Sequence, residues 1–209
     1  MGFEATETLT STKRLVFAMR VHMHMWATLF YATMASASAH GAPNIDDWKI
    51  NDPIPAFTFV DEFGDRSVFA ASKPTLVAFA FSRCAVPDAC PKTLAILQQI
   101  EKELPAVDIV VVTLDPVYDN PDVLRAWKKH AGLKRARFLT GAADDVVAFT
   151  SLFNVFALEQ GGSLSHPVKA ALLDAQHRIV REWKDNHFSV VDVRGALSSQ
   201  KDLHASYSQ

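Results

Sequence analysis

Phe79-Ala80-Phe81-Ser82-Arg83-Cys84-Ala85-Val86-Pro87-Asp88-Ala89-Cys90-Pro91 carries the only two cysteines of a 209-residue chain, and it sits where one periodicity gives way to another. Upstream, residues 75–81 form a continuous apolar run with the length of a buried strand. Downstream, Leu94, Leu97, Ile100 and Leu104 recur at helical spacing. Pro91 suits the first helical position, which makes Cys90 the expected N-cap. A strand thus delivers Cys84 to a short loop, and the loop delivers Cys90 to a helix N-terminus. The partial positive charge there favours thiolate over thiol. Two thiols held this way suit reversible disulfide formation or a soft metal such as Cu(I).

On the amino-terminal side, residues 54–60 alternate as a strand, 61–65 turn, and 66–69 return, giving an N-terminal β-hairpin. On the other side, residues 107–114 are β-branched at every position but Asp108 and Leu114, as expected of a parallel strand buried on both faces. A helix is expected from Asp119-Asn120-Pro121, with Asp119 as its cap, Val123, Leu124 and Trp127 on its apolar side and Gly132 at its end. A short strand follows at 137–140, then a third helix at 144–153 burying Val147, Leu152 and Phe153. Next come a polar loop at 159–165 and a hairpin of 168–173 with 179–183. The last helix is expected at 190–198, before a frayed polar tail at 200–209. Helices alternating with strands around a buried central run specify an α/β fold. Paired cysteines between the first core strand and its helix place thiol or metal chemistry at the carboxyl edge of that sheet.

The formal charge of −2 leaves no basic footprint and argues against nucleic acid as a partner. In the first 39 residues, Lys13, Arg14 and Arg20 precede an apolar segment at 25–34 and the small-residue site Ala37-Ser38-Ala39. That is the pattern of a secretory signal peptide. An uncleaved membrane anchor is the alternative, but Arg20, His22 and His24 interrupt the span. The uninterrupted part is also short for a hydrocarbon core of about 30 Å. Residues 40–51 then read as a linker and 52–199 as the folded domain. The expected location is the periplasm, with the membrane reached only through the N-terminal segment if it stays uncleaved. Export makes a structural disulfide the bland account of the pair. A domain this size can bury a core without one, however, and so short a loop restricts the unfolded chain least.

From about Asp52 to Leu197 the sequence resembles the Sco/SenC family of copper chaperones. The resemblance rests on ordered pieces: Phe79-Ala80-Phe81-Ser82-Arg83-Cys84 leading to Cys90-Pro91, then Val112-Thr113-Leu114-Asp115-Pro116 with Asp119-Asn120-Pro121. Leu139-Thr140-Gly141, Phe153-Asn154-Val155-Phe156 and Leu164-Ser165-His166 complete it. The resemblance implies a thioredoxin-like central sheet flanked by helices, and copper, as Cu(I) or Cu(II), held by Cys84, Cys90 and His166. It also implies an electrostatic role for Asp115 beside the site without ligation. The implied partners are a cuproprotein acceptor such as a cytochrome c oxidase subunit, and a thiol–disulfide reductant. The sequence departs from the family's usual C-x-x-x-C in having five residues between Cys84 and Cys90, and Ala85 stands where proline is usual. The rival function is a thiol–disulfide oxidoreductase that reduces partner cysteines through Cys84 and Cys90 as its redox pair. His166 separates the two, since dithiol exchange needs no imidazole. Arg83 either lowers the pKa of Cys84 or faces solvent. If cleavage follows Ala39, His40 becomes the amino terminus, whose imidazole and amine could chelate Cu(II), though this is the disfavoured reading; His130, His177, His187 and His204 read as solvated.

Overall fold

The computed structural model describes residues 51–207 apart from 70, 71, 85, 161 and 162, together with Pro43, Ile45, Asp46, Trp48 and Lys49. The expected leader at 1–39, with His22 and His24, and the amino-terminal His40 lie outside the described residues, as does Ala85. In chain order the elements are β1 (Thr58–Asp61), β2 (Arg66–Val68), β3 (Thr75–Ala80), α1 (Cys90–Glu103), β4 (Asp108–Thr113), α2 (Pro121–His130) and β5 (Arg137–Thr140). They continue with α3 (Ala143–Ser151), β6 (Leu158–Gln160), β7 (Ser163–Ser165), β8 (Ala170–Leu173), β9 (Ile179–Trp183) and α4 (Val190–Tyr207). Among the described residues no helix is long and apolar enough to cross a membrane.

Seven strands form one sheet in the order β2-β1-β5-β4-β3-β8-β9. β3 pairs parallel with β4, and β4 parallel with β5. Every residue of β3 is buried, as is all of β4 after Asp108, which is why these runs carry no polar alternation. The expected hairpin, β1 with β2, joins the sheet through β5. Its turn is tied down by Glu62, a buried carboxylate that accepts from Phe138 N at 3.0 Å and from Lys128. α1 packs against α4 and β4, α4 also against β9, and α2 against β5 and β1.

Phe149 of α3 centres the aromatic core. Its ring centroid lies 5.1 Å from those of Phe59 and Phe69 and 5.2 Å from those of Phe57 and Phe153. Phe153 in turn lies 4.9 Å from Phe79 of β3, so the strand that leads to the cysteines is braced from this cluster.

Several local expectations are corrected. α3 faces the core with Val146 and Phe149, while Val147 is 61% exposed; Leu152 and Phe153 are buried but lie past the helix end. In the stretch expected as a polar loop at 159–165, β6 and β7 pair antiparallel, Leu158 opposite Ser165 and Gln160 opposite Ser163. α4 continues to Tyr207 instead of ending at 198. Asn120, not Asp119, caps α2, its side chain accepting from Val123 N at 3.1 Å.

The sheet direction positions the site. β3 and β4 end at the same edge, so the connections that leave them run side by side. β8 is antiparallel to β3, with Ala78 opposite Ala170 and Thr75 opposite Leu173. The chain entering β8 therefore starts from the edge where β3 stops.

Candidate metal centre

Three segments meet at that edge. The first leaves β3 and turns at once, Cys84 N donating to Phe81 O at 3.2 Å, which leaves Cys84 half-buried. The second is the first turn of α1. Ala89 occupies the N-cap position and makes no side-chain cap bond, so Cys90 is the first helical residue and Pro91 the second. Cys90 is therefore one position further into the helix than expected, and it is only 3% exposed. The third segment joins β7 to β8 and carries His166, half-buried, with its ring edge-on to Phe81 at 5.6 Å between centroids.

The ligand-capable atoms of Cys84, Cys90 and His166 all lie within 4.8 Å of one another. Among the described residues no other His, Cys, Asp or Glu group of this kind converges. His166 Nδ1 lies 2.9 Å from Pro167 O, and a carbonyl only accepts, so Nδ1 carries the proton. Nε2 then presents its lone pair, 4.0 Å from Cys90 Sγ. Both cysteines are free thiols.

Burial dominates the electrostatics. It pushes the Cys90 thiol up to about 12, with the neighbouring Cys84 adding to the rise. The expected helix-dipole benefit is thus overridden, because Cys90 is withdrawn from the water that would stabilise its charge. Burial also lowers the pKa of His166 and keeps the imidazole neutral, the form in which Nε2 can ligate. Two soft thiol sulfurs and one imidazole nitrogen form a donor set that fits Cu(I) and leaves room for an incoming ligand.

Asp115 is not among the converging atoms. It accepts from Arg83 Nε at 3.0 Å and from Arg83 Nη2, and its own N–H donates to Thr113 Oγ1 at 3.0 Å. Arg83 also lies 4.2 Å from the Tyr118 ring centroid. Its guanidinium is thereby engaged by the Asp115 carboxylate and the Tyr118 ring. His130 and His187 are exposed, whereas His177 is half-buried against Phe69 at 5.5 Å, with positive φ. The His204 side chain lies outside the described residues.

Two residues shape the site without having been singled out for it. Asp119, fully buried, accepts from Ser82 N at 3.1 Å, from Ser82 Oγ and from Thr113 Oγ1, tying the start of the cysteine loop to the end of β4. Asn186, also buried, donates from Nδ2 to the carbonyls of Asp88 and Ala89, at the other end of the same loop. For Asp119 a sequence signal existed: Asn120, directly before Pro121, is the better-placed cap, which leaves the preceding acid unexplained. For Asn186, in a polar link after β9, there was none.

Residues 49–201 match the SCO1/SenC family. The chain belongs to that family. It is 29% identical over 140 residues to an SCO2-like protein of Rickettsia felis, covering 61% of this chain and 67% of that one. Among solved structures it is similar to yeast Sco1 with copper bound, at 21% identity and a TM-score of 0.59, covering 71% of this chain and 90% of that one. It is likewise similar to BsSco, described as having a disulfide switch and as belonging to the Sco family of cytochrome c oxidase assembly proteins. There the identity is 21% and the TM-score 0.61, over 72% of this chain and 96% of that one. The fold shared with these Sco proteins is the expected thioredoxin-like α/β arrangement.

Proposed function

We propose that this SCO1/SenC-family chain is an exported copper metallochaperone. It binds copper through Cys84 Sγ, Cys90 Sγ and His166 Nε2 and hands it to a cuproprotein such as a cytochrome c oxidase subunit. The observation that carries this reading is the approach of the three donor atoms to within 4.8 Å, from segments as far apart as Cys90 and His166, 76 residues away. The copper-bound relative supports the choice of metal. Residues 1–39 would bring the domain to the periplasm, as a cleaved signal or as an anchor.

The residues divide the work by exposure. His166, neutral and with Nδ1 committed to Pro167 O, offers Nε2 without first losing a proton. Cys90, buried and held protonated, gives up its proton when the metal enters, so affinity rises with pH. Cys84, half-exposed, is the donor an acceptor thiolate can displace first, with ligands then exchanging one at a time. Asp115 and Arg83 form a neutral pair at the rim, where Asp115 influences the site electrostatically.

Titration of the reduced protein with Cu(I) and with Cu(II) tests the reading. One copper per chain is expected, with His166→Ala weakening the binding by at least about tenfold. Unchanged affinity in His166→Ala would remove the imidazole from the site. The adjacent free thiols, and the disulfide switch described for BsSco, favour one second reading, thiol–disulfide exchange. In it the Cys84 thiolate attacks a partner disulfide, forming a mixed disulfide and releasing one partner thiolate. Cys90, deprotonated, then attacks Cys84 Sγ, closing Cys84–Cys90 and releasing the second partner thiolate; an external thiol reductant restores the pair. No copper uptake together with disulfide reductase turnover would select this reading.

A further inference from the structure

The connection from β3 to α1 is held at both ends and open in the middle. Asp119 grips Ser82 at its start. In the middle, Val86, Pro87 and Asp88 are exposed. At its end Asn186 reaches in from the link between β9 and α4, 98 residues beyond Asp88 and 97 beyond Ala89. Its amide nitrogen donates to Asp88 O and, at 3.3 Å, to Ala89 O. Ala89 O also takes Thr93 N at 3.0 Å and Thr93 Oγ1 at 3.1 Å, the bonds that start α1. The side chain is 5% exposed, so these bonds are shielded from competing water.

Five residues between two cysteines leave more backbone freedom than a shorter spacing does, and that freedom opposes any state that brings the sulfurs together. Asn186 removes it from the two peptide units directly before Cys90. We infer that Asn186 is a positioning residue. It fixes the backbone that aims Cys90 Sγ at His166 and Cys84, and makes a widely spaced cysteine pair act as a preorganised one. The inference rests on Cys84, Cys90 and His166 being the working group, and two separate readouts keep it distinct from the copper function.

The first readout is the equilibrium of the full chain with glutathione, in which the protein dithiol and one oxidised glutathione give the Cys84–Cys90 disulfide and two reduced glutathiones. The second is Cu(I) affinity. Asn186→Ala deletes the donor, Asn186→Asp places a carboxylate against the two carbonyls, and Asn186→Gln displaces the amide by one methylene. Each is expected to lower both constants by about tenfold or more. Leu124→Ala, which opens the core at buried Leu124 in α2, is the stability control. It should lower the thermal midpoint yet leave both constants within about twofold, because α2 packs chiefly against β5 and β1 and not against α1 or β8. Wild-type constants in any folded Asn186 variant would overturn the inference, as would equal losses in Leu124→Ala. If the wild type takes up no copper while the glutathione equilibrium still responds to Asn186, the copper function fails and the positioning role stands.

Discussion

Cys90 and His166 are shifted in opposite directions by the same cause, and their effects on stability have opposite signs. The folded pKa of Cys90 is raised from 9.0 to about 12, so the unfolded chain releases that proton first. The stability it contributes is complete below pH 9 and is lost as pH rises toward 12. The folded pKa of His166 is lowered from 6.5, so the unfolded chain takes up that proton first. Its contribution is complete above pH 6.5 and is lost as pH falls through the folded value. Urea midpoints of the reduced protein should therefore fall on both sides of neutrality. Cys90→Ala should flatten the alkaline limb and His166→Ala the acid limb; unchanged limbs in these variants would assign the pH dependence to other groups. The identities of both residues could be read in the sequence, but their protonation could not. The strand–loop–helix pattern announces a helix N-terminus, and only the packed structure shows that Cys90 lies inside it, away from water.

The elements follow their patterns most closely where a run is buried on both faces. β3 and β4 needed only continuous apolar sequence to be recognised, and the parallel pairing came with it. Patterns failed where one residue of phase decides: Val146 and Val147 are adjacent and equally apolar, and only packing against Phe57, Phe59 and Phe69 selects the phase that buries Val146 and Phe149. The β6–β7 hairpin looked like a polar loop, although Gly161-Gly162 between its strands is itself a two-residue hairpin signal. The end of α2 was legible because Gly132 does what only glycine does readily there. It takes φ +66, and a Cβ added to it would lie 2.5 Å from Gln98 Nε2, which donates to Ala131 O. Gly132→Ala should lower stability by about 1 kcal/mol in a denaturant titration, partly offset by the flexibility of Gln98, and leave copper affinity unchanged. A fall in affinity would mean that α2 strain reaches the cysteine edge.

At the scale of the molecule, the thiols and the imidazole belong to different parts of one sheet. Cys84 and Cys90 follow β3, in the parallel layer of β3 and β4, whereas His166 lies in the link leading into β8, whose antiparallel pair with β9 joins the sheet through β3. That three-residue group could be named from the sequence resemblance, but the two buried side chains that hold the loop could not, because Asp119 and Asn186 act across 37 and 98 residues. Amide exchange should slow across β8 on copper loading, while β1 and β2 at the far end of the sheet exchange as before; uniform slowing would indicate a global change in stability instead. A metal held by all three side chains rivets the two subsheets across the β3–β8 seam. Cargo release would then loosen that seam, so an acceptor that takes the copper would leave behind a domain whose β8–β9 flap opens more often than it did when loaded.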